Sequence, residues 1–106
     1  MLPNYYDILG LTSTAREKDI LKAFRQKAKL YHPDLNKSMD VCQRFIEVNE
    51  AYEILRDSTR RKLYDNFYIK KNSTETGEQT IFAAAETARQ KGKQYATNYH
   101  YLSKKV

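Results

Sequence analysis

Apolar residues recur along this chain at intervals of three and four, the repeat of one helix face, while the alternation expected of strands is weak. Ile20, Phe24, Ala28 and Tyr31 form one such stripe. Val41, Phe45, Val48, Tyr52 and Leu55, with Ala51 beside them, form a second. Glycine and proline number only three and two, so little interrupts the helical pattern. The pattern predicts an all-α protein with no internal repeat.

Local signals divide this pattern into elements. A short first helix is expected over residues 4–9, with Pro3 at its start and Gly10 at the position just past its end, where a left-handed backbone is favoured. Tyr6 and Leu9 share one of its faces, as do Tyr5 and Leu9. Thr14 and Glu17 fit a capping box that opens a second helix, running to about residue 31. Pro33 stops that helix and pushes His32 toward extended geometry. A polar loop follows, and then a third helix over about residues 39–56. Asp57 or Ser58 can cap a short fourth helix over 59–66, which would pack through Leu63 and Tyr64. Two long amphipathic helices on a short loop should pair antiparallel. Burial of each large facing side chain contributes roughly 1.5–3 kcal/mol. The expected core is Tyr6, Leu9, Ile20, Phe24, Ala28, Phe45, Val48, Tyr52 and Leu55.

Beyond Phe67 the composition shifts. Residues 68–77 read as a polar linker, and residues 78–104 as an amphipathic helical tail capped by Thr76 and Gln79. Its stripe of Ile81, Ala84, Ala88, Tyr95, Tyr99 and Leu102 is rich in alanine and interrupted at Gly92. Docking, self-association and a solvated helix are all compatible with it; a solvated or weakly docked helix is the simplest reading.

Charge adds a second layer. The net charge is +6, which suits acidic partners, although a basic solvated surface has the same composition. Between residues 15 and 31 six basic residues, Arg16, Lys18, Lys22, Arg25, Lys27 and Lys29, stand against Glu17 and Asp19. The third helix has the reverse balance, with Asp40, Glu47, Glu50, Glu53 and Asp57 against Arg44 and Arg56. That complementarity favours pairing only modestly, since an exposed ion pair contributes about 0–1 kcal/mol. One cysteine, Cys42, permits no intrachain disulfide and no cysteine-based metal cluster. His32, Asp34, Cys42 and His100 lack metal-ligand spacing, and no nucleophile–base set can be argued. No apolar run reaches membrane-spanning length, and the start shows no signal-peptide pattern. A soluble, intracellular and by default cytoplasmic protein is expected, without cofactor or metal.

The ordered set Tyr5-Tyr6-Asp7-Ile8-Leu9-Gly10, the helix from Ile20 to Tyr31, His32-Pro33-Asp34, Phe45, Asn49-Glu50-Ala51-Tyr52-Glu53-Ile54-Leu55 and Tyr64-Asp65 resembles the J-domain of the DnaJ co-chaperone family over about residues 3–67. The tripeptide alone would be weak; the set at these spacings is specific. The resemblance implies a helical hairpin of the second and third helices, flanked by short first and fourth helices. It implies a partner, a DnaK-type heat-shock chaperone whose ATP hydrolysis is accelerated in support of protein folding. The chain itself would perform no bond chemistry.

By the family pattern His32, Pro33 and Asp34 are required for stimulation, and the basic face of the second helix, with Lys22, Arg25, Lys27 and Lys29, docks on an acidic surface. Tyr31 and Asn36 border the motif and join the expected partner-binding set. The chemistry suits these roles. Asp34 can accept a bidentate arginine, Pro33 limits backbone entropy lost on binding, and His32 can pack while hydrogen-bonding. Leu35 and Leu30 depart from the family pattern, which favours a basic residue after the motif and a lysine before Tyr31. These departures bear on docking strength or partner preference. No glycine/phenylalanine-rich segment or zinc-binding cysteine repeat follows the domain. An alternative gives the tail a function of its own. Tyr95, Tyr99 and Tyr101 lie among Lys91, Lys93, Lys104 and Lys105 and could contact nucleic acid or a membrane surface. Neither is the expected partner, and the chain is expected to be monomeric.

Overall fold

A computed structural model describes residues 2–32 and 38–104, with side chains described through residue 96. Five α-helices follow one another: α1 (Tyr5–Leu9), α2 (Glu17–Leu30), α3 (Met39–Leu55), α4 (Ser58–Tyr64), continued by a π-helical turn over Asp65–Ile69, and α5 (Glu75–Lys104). No strand occurs among the described residues.

The helix ends show why the chain breaks where it does. The Asn4 side chain accepts a hydrogen bond from the Asp7 amide at the start of α1. Gly10 closes that helix at φ 73°, donating its amide to Asp7 and Tyr6 carbonyls. The second helix opens later than the Thr14–Glu17 pattern suggested. Asp19 reaches back to the Arg16 amide at 3.0 Å, while the Thr14 and Thr12 hydroxyls bond each other. The Asp19 carboxylate sits three residues beyond Arg16, the last residue before the helix, and so takes the capping position. Ser38 caps α3 through the Val41 amide, and Asp57 caps α4 through the amides of Thr59 and Arg60.

The pairing of α2 with α3 is antiparallel: Phe24 stacks on Tyr52 at 4.0 Å between ring centroids, while Tyr31 and His32 lie beside Arg44 and Phe45. Tyr6, Leu9, Ile20, Val48 and Leu55 are fully buried and Phe45 nearly so. Phe24, Ala28 and Tyr52, read as core from their spacing, are only half-buried. They lie at the margin of the hairpin, where the Phe24–Tyr52 stack shields both rings. Tyr5, Ala51, Ile54 and Tyr64 belong to the same core.

Polar anchoring accompanies this packing. The Tyr64 hydroxyl donates to the Pro3 carbonyl at 2.7 Å and accepts the Tyr5 amide at 3.0 Å, satisfying a backbone donor at the start of α1. Arg61 stands in a run of three basic residues, Arg60, Arg61 and Lys62. Its guanidinium donates to the Ser13 and Ala15 carbonyls and to the Tyr6 hydroxyl, which donates to Asp65. Arg61 thus fastens α4 to the connection between α1 and α2.

The tail differs most from the simplest sequence reading. It starts at Glu75, where the Thr74 hydroxyl accepts the Gly77 amide, and it docks along α3, whereas a solvated or weakly docked helix is the simplest reading. Successive contacts run Glu50 to Arg89, Ile46 and Asn49 to Gly92, and Phe45 to Tyr95, so α5 is antiparallel to α3. The buried face is Ile81, Ala85, Ala88, Gly92 and Ala96. Ala84 is half-buried and Tyr95 exposed. The segment expected as a linker is partly helical, since the π-turn continues through Ile69.

Candidate partner-docking site

The described part of the site consists of one face of α2 and the residues at its C-terminal end. Lys18, Lys22, Arg25 and Lys29 step by four, three and four and are all exposed. None of them lies within ion-pair distance of a described carboxylate. Ile20, Phe24 and Tyr31 occupy the other side of the helix, which explains why this basic face turns outward.

Lys27 is a correction to that row. It lies about 140° around the helix from Lys22. The structure places it half-buried, in a recess shared with Asp7, Tyr31, Arg44 and Glu47. A lysine stem can cover apolar surface there while its ammonium stays in water. Counting charges along the helix groups Lys27 with its neighbours; the 100° step separates it from them.

Tyr31 ends α2 half-buried, with the Arg44 guanidinium 6.0 Å from its ring centre. His32 follows, also half-buried, and presents its ring edge-on to Phe45 at 6.4 Å and 83°. Leu30, one of the departures from the family pattern, is 60% exposed. Pro33, Asp34, Leu35 and Asn36 lie outside the described residues.

Behind this end of the hairpin, Phe45 is held on a second side by Tyr95 of α5, stacked at 5.3 Å with 19° between planes. The tail is fixed by a buried polar junction. The Glu50 carboxylate, 4% exposed, accepts Arg89 Nε at 2.9 Å and the Tyr5 hydroxyl at 2.5 Å. Burial and the bond to Glu50 push the Tyr5 phenol far above its usual range, so it acts as a donor. Arg89 belongs to no site read from the sequence, and Tyr95 only to the alternative reading of the tail as a nucleic-acid or membrane contact. The available signal was an arginine and a tyrosine six residues apart, which has no meaning until α3 is laid alongside.

Among the described residues no group of His, Cys, Asp and Glu is arranged to hold a metal ion. No helix among them is long and apolar enough to cross a membrane.

A family model described as DnaJ domain matches residues 4–65. The chain belongs to the DnaJ domain family. It is similar to "Chaperone protein DnaJ" of Pediococcus pentosaceus, 53% identical over 64 residues, which are 60% of this chain and 17% of that protein. The protein of the same name from Mycoplasma capricolum is 50% identical over the same coverage of 60% and 17%. Among solved structures, the J-Trx1 fragment of ERdj5 is 36% identical with a TM-score of 0.57, covering 70% of this chain and 36% of that one. The chain thus spans about a sixth of the length of the curated relatives it matches, 17% in both cases given. The family match ends before α5 begins.

Proposed function

We propose that this chain acts as a co-chaperone that docks on a DnaK-type chaperone ATPase and stimulates its ATP hydrolysis in support of protein folding. The observation that carries this reading is the exposed row Lys18, Lys22, Arg25 and Lys29, on a helix that leads directly into His32 within a DnaJ domain. The row supplies long-range attraction to an acidic partner face and orients the approach, so association is salt-sensitive. His32, Pro33 and Asp34 supply the specific contact. The chain contributes contacts rather than reacting groups. Its effect on the partner is a population shift, which requires the motif to bind one partner state better than another.

Single-turnover ATP hydrolysis by a DnaK-type chaperone tests the proposal. Wild type should raise the rate, and His32→Gln should return it to the unstimulated level with the circular dichroism spectrum unchanged. Equal rates with wild type and His32→Gln would overturn it.

A further inference from the structure

Resting on the function proposed above, we infer that α5 is a working part of the docking site, and that Tyr95 is a positioning residue acting through Phe45 on His32. Three observations converge. Phe45 is only 7% exposed, and two of its neighbours are aromatic: the His32 ring meets it edge-on and the Tyr95 ring lies nearly parallel to it. Phe45 sits in the second turn of α3, the end of that helix nearest His32. Finally, α5 is held at the distance this stack needs. Arg89 is bonded to the buried Glu50, and at Gly92 a Cβ would stand 3.4 Å from both the Ile46 backbone and the Asn49 side chain. That distance leaves room for a methyl group but no more, so a residue larger than alanine at 92 would hold the helices apart and withdraw Tyr95 from Phe45.

The physical consequence follows from packing. With the Tyr95 ring in place, Phe45 keeps one rotamer, and the His32 ring rests on a fixed surface. Without it, Phe45 gains rotational freedom and His32 loses that support. More order must then be created when the partner docks, which weakens docking without altering any group that touches the partner. The tail's role here is to preorganise His32. Tyr95 is itself 47% exposed, so its removal leaves the buried face of α5 intact.

The test uses the full chain in the same single-turnover assay, titrated against the chaperone, with wild type, Tyr95→Ala, Tyr95→Phe and His32→Gln. Tyr95→Ala should need about twofold to tenfold more protein for half-maximal stimulation, the range set by the loss of one aromatic pair. Tyr95→Phe keeps the stacked ring and should match wild type, which a role for the hydroxyl would not permit. Nuclear magnetic resonance supplies a readout independent of the chaperone: the His32 ring protons should shift in Tyr95→Ala and stay in place in Tyr95→Phe. A Tyr95→Ala protein that stimulates as well as wild type, or better, overturns the positioning role. Should wild type stimulate no more than His32→Gln, the co-chaperone reading fails, and the coupling is then decided by resonance alone: unmoved His32 signals in Tyr95→Ala overturn it.

Discussion

At Gly10 the backbone turns to φ 73° so that its amide can reach the open carbonyls at the end of α1. A Cβ at this position would meet nothing closer than the Lys27 side chain at 4.0 Å. Space is therefore available, and the requirement for glycine is conformational alone. Gly10→Ala should cost about 1–2 kcal/mol, the penalty of a left-handed backbone for an L-residue. Urea unfolding measures this, and a change below a few tenths of a kcal/mol would show that the turn relaxes to another geometry. Gly10 could be placed from the sequence because helix termination is a local event. Lys27 could not be placed by a count of charges, because its surroundings are made by α1 and α3 together with α2.

Among elements, the contact of α5 with α3 changes the picture most. Large residues are few on the docking face of α5, where Ile81 is followed by Ala85, Ala88, Gly92 and Ala96. Small side chains let the two helices lie close, and dispersion along the shared surface replaces the bulk of leucines. The stripe read from the sequence shares only Ile81 and Ala88 with this face, and there Gly92 reads as an interruption. In the structure Gly92 is buried against α3. Gly92→Leu should force the helices apart and cost about 1–3 kcal/mol despite leucine's better helix propensity. Calorimetry should show the melting temperature falling, and the Phe45 and Tyr95 ring signals should change with it. A melting temperature equal to or above that of wild type would mean that α5 leaves the domain at little cost.

For the molecule as a whole, tyrosines tie α1 to α4 across the central hairpin. Tyr5 and Tyr6 come from α1 and Tyr64 from α4, with Tyr5 and Tyr64 ring centres 4.6 Å apart. Burial, followed by the hydrogen bond to Asp65, pushes the Tyr6 phenol up to about 12. Burial also raises Tyr5 and Tyr64 well above the ordinary tyrosine value. A raised value means that the folded protein keeps protons the unfolded chain releases near pH 10. For Tyr6 the associated stability is complete below about pH 10 and is lost as pH rises through about 10–12, and for Tyr5 and Tyr64 the decline continues to higher pH. Each such tyrosine contributes a slope approaching about 1.4 kcal/mol per pH unit in that window. Chemical unfolding across the alkaline range should show this decline, and Tyr6→Phe should show a shallower one. Identical slopes in the two proteins would mean that Tyr6 ionises alike in both states.

The sequence by itself determined the helical class, the end of α1 at Gly10, the end of α2 at about Tyr31, a cap for α4 at Asp57 or Ser58, the opposite charge of the central helices and the family. Each of these rests on spacing along the chain: three- and four-residue periodicity, short-range capping, and an ordered motif set. Tertiary structure decided the facts that depend on a surface from elsewhere in the chain. It set Lys27 in a recess built by α1 and α3, made Arg61 a clamp, left Phe24 and Tyr52 at the margin of the core, and docked a tail that reads as solvated or weakly docked. An alanine-rich helix carries too weak an amphipathic signal to reveal its docking. Its place was set by Glu50 and the close approach at Gly92, and each of these becomes decisive only when α3 and α5 lie side by side.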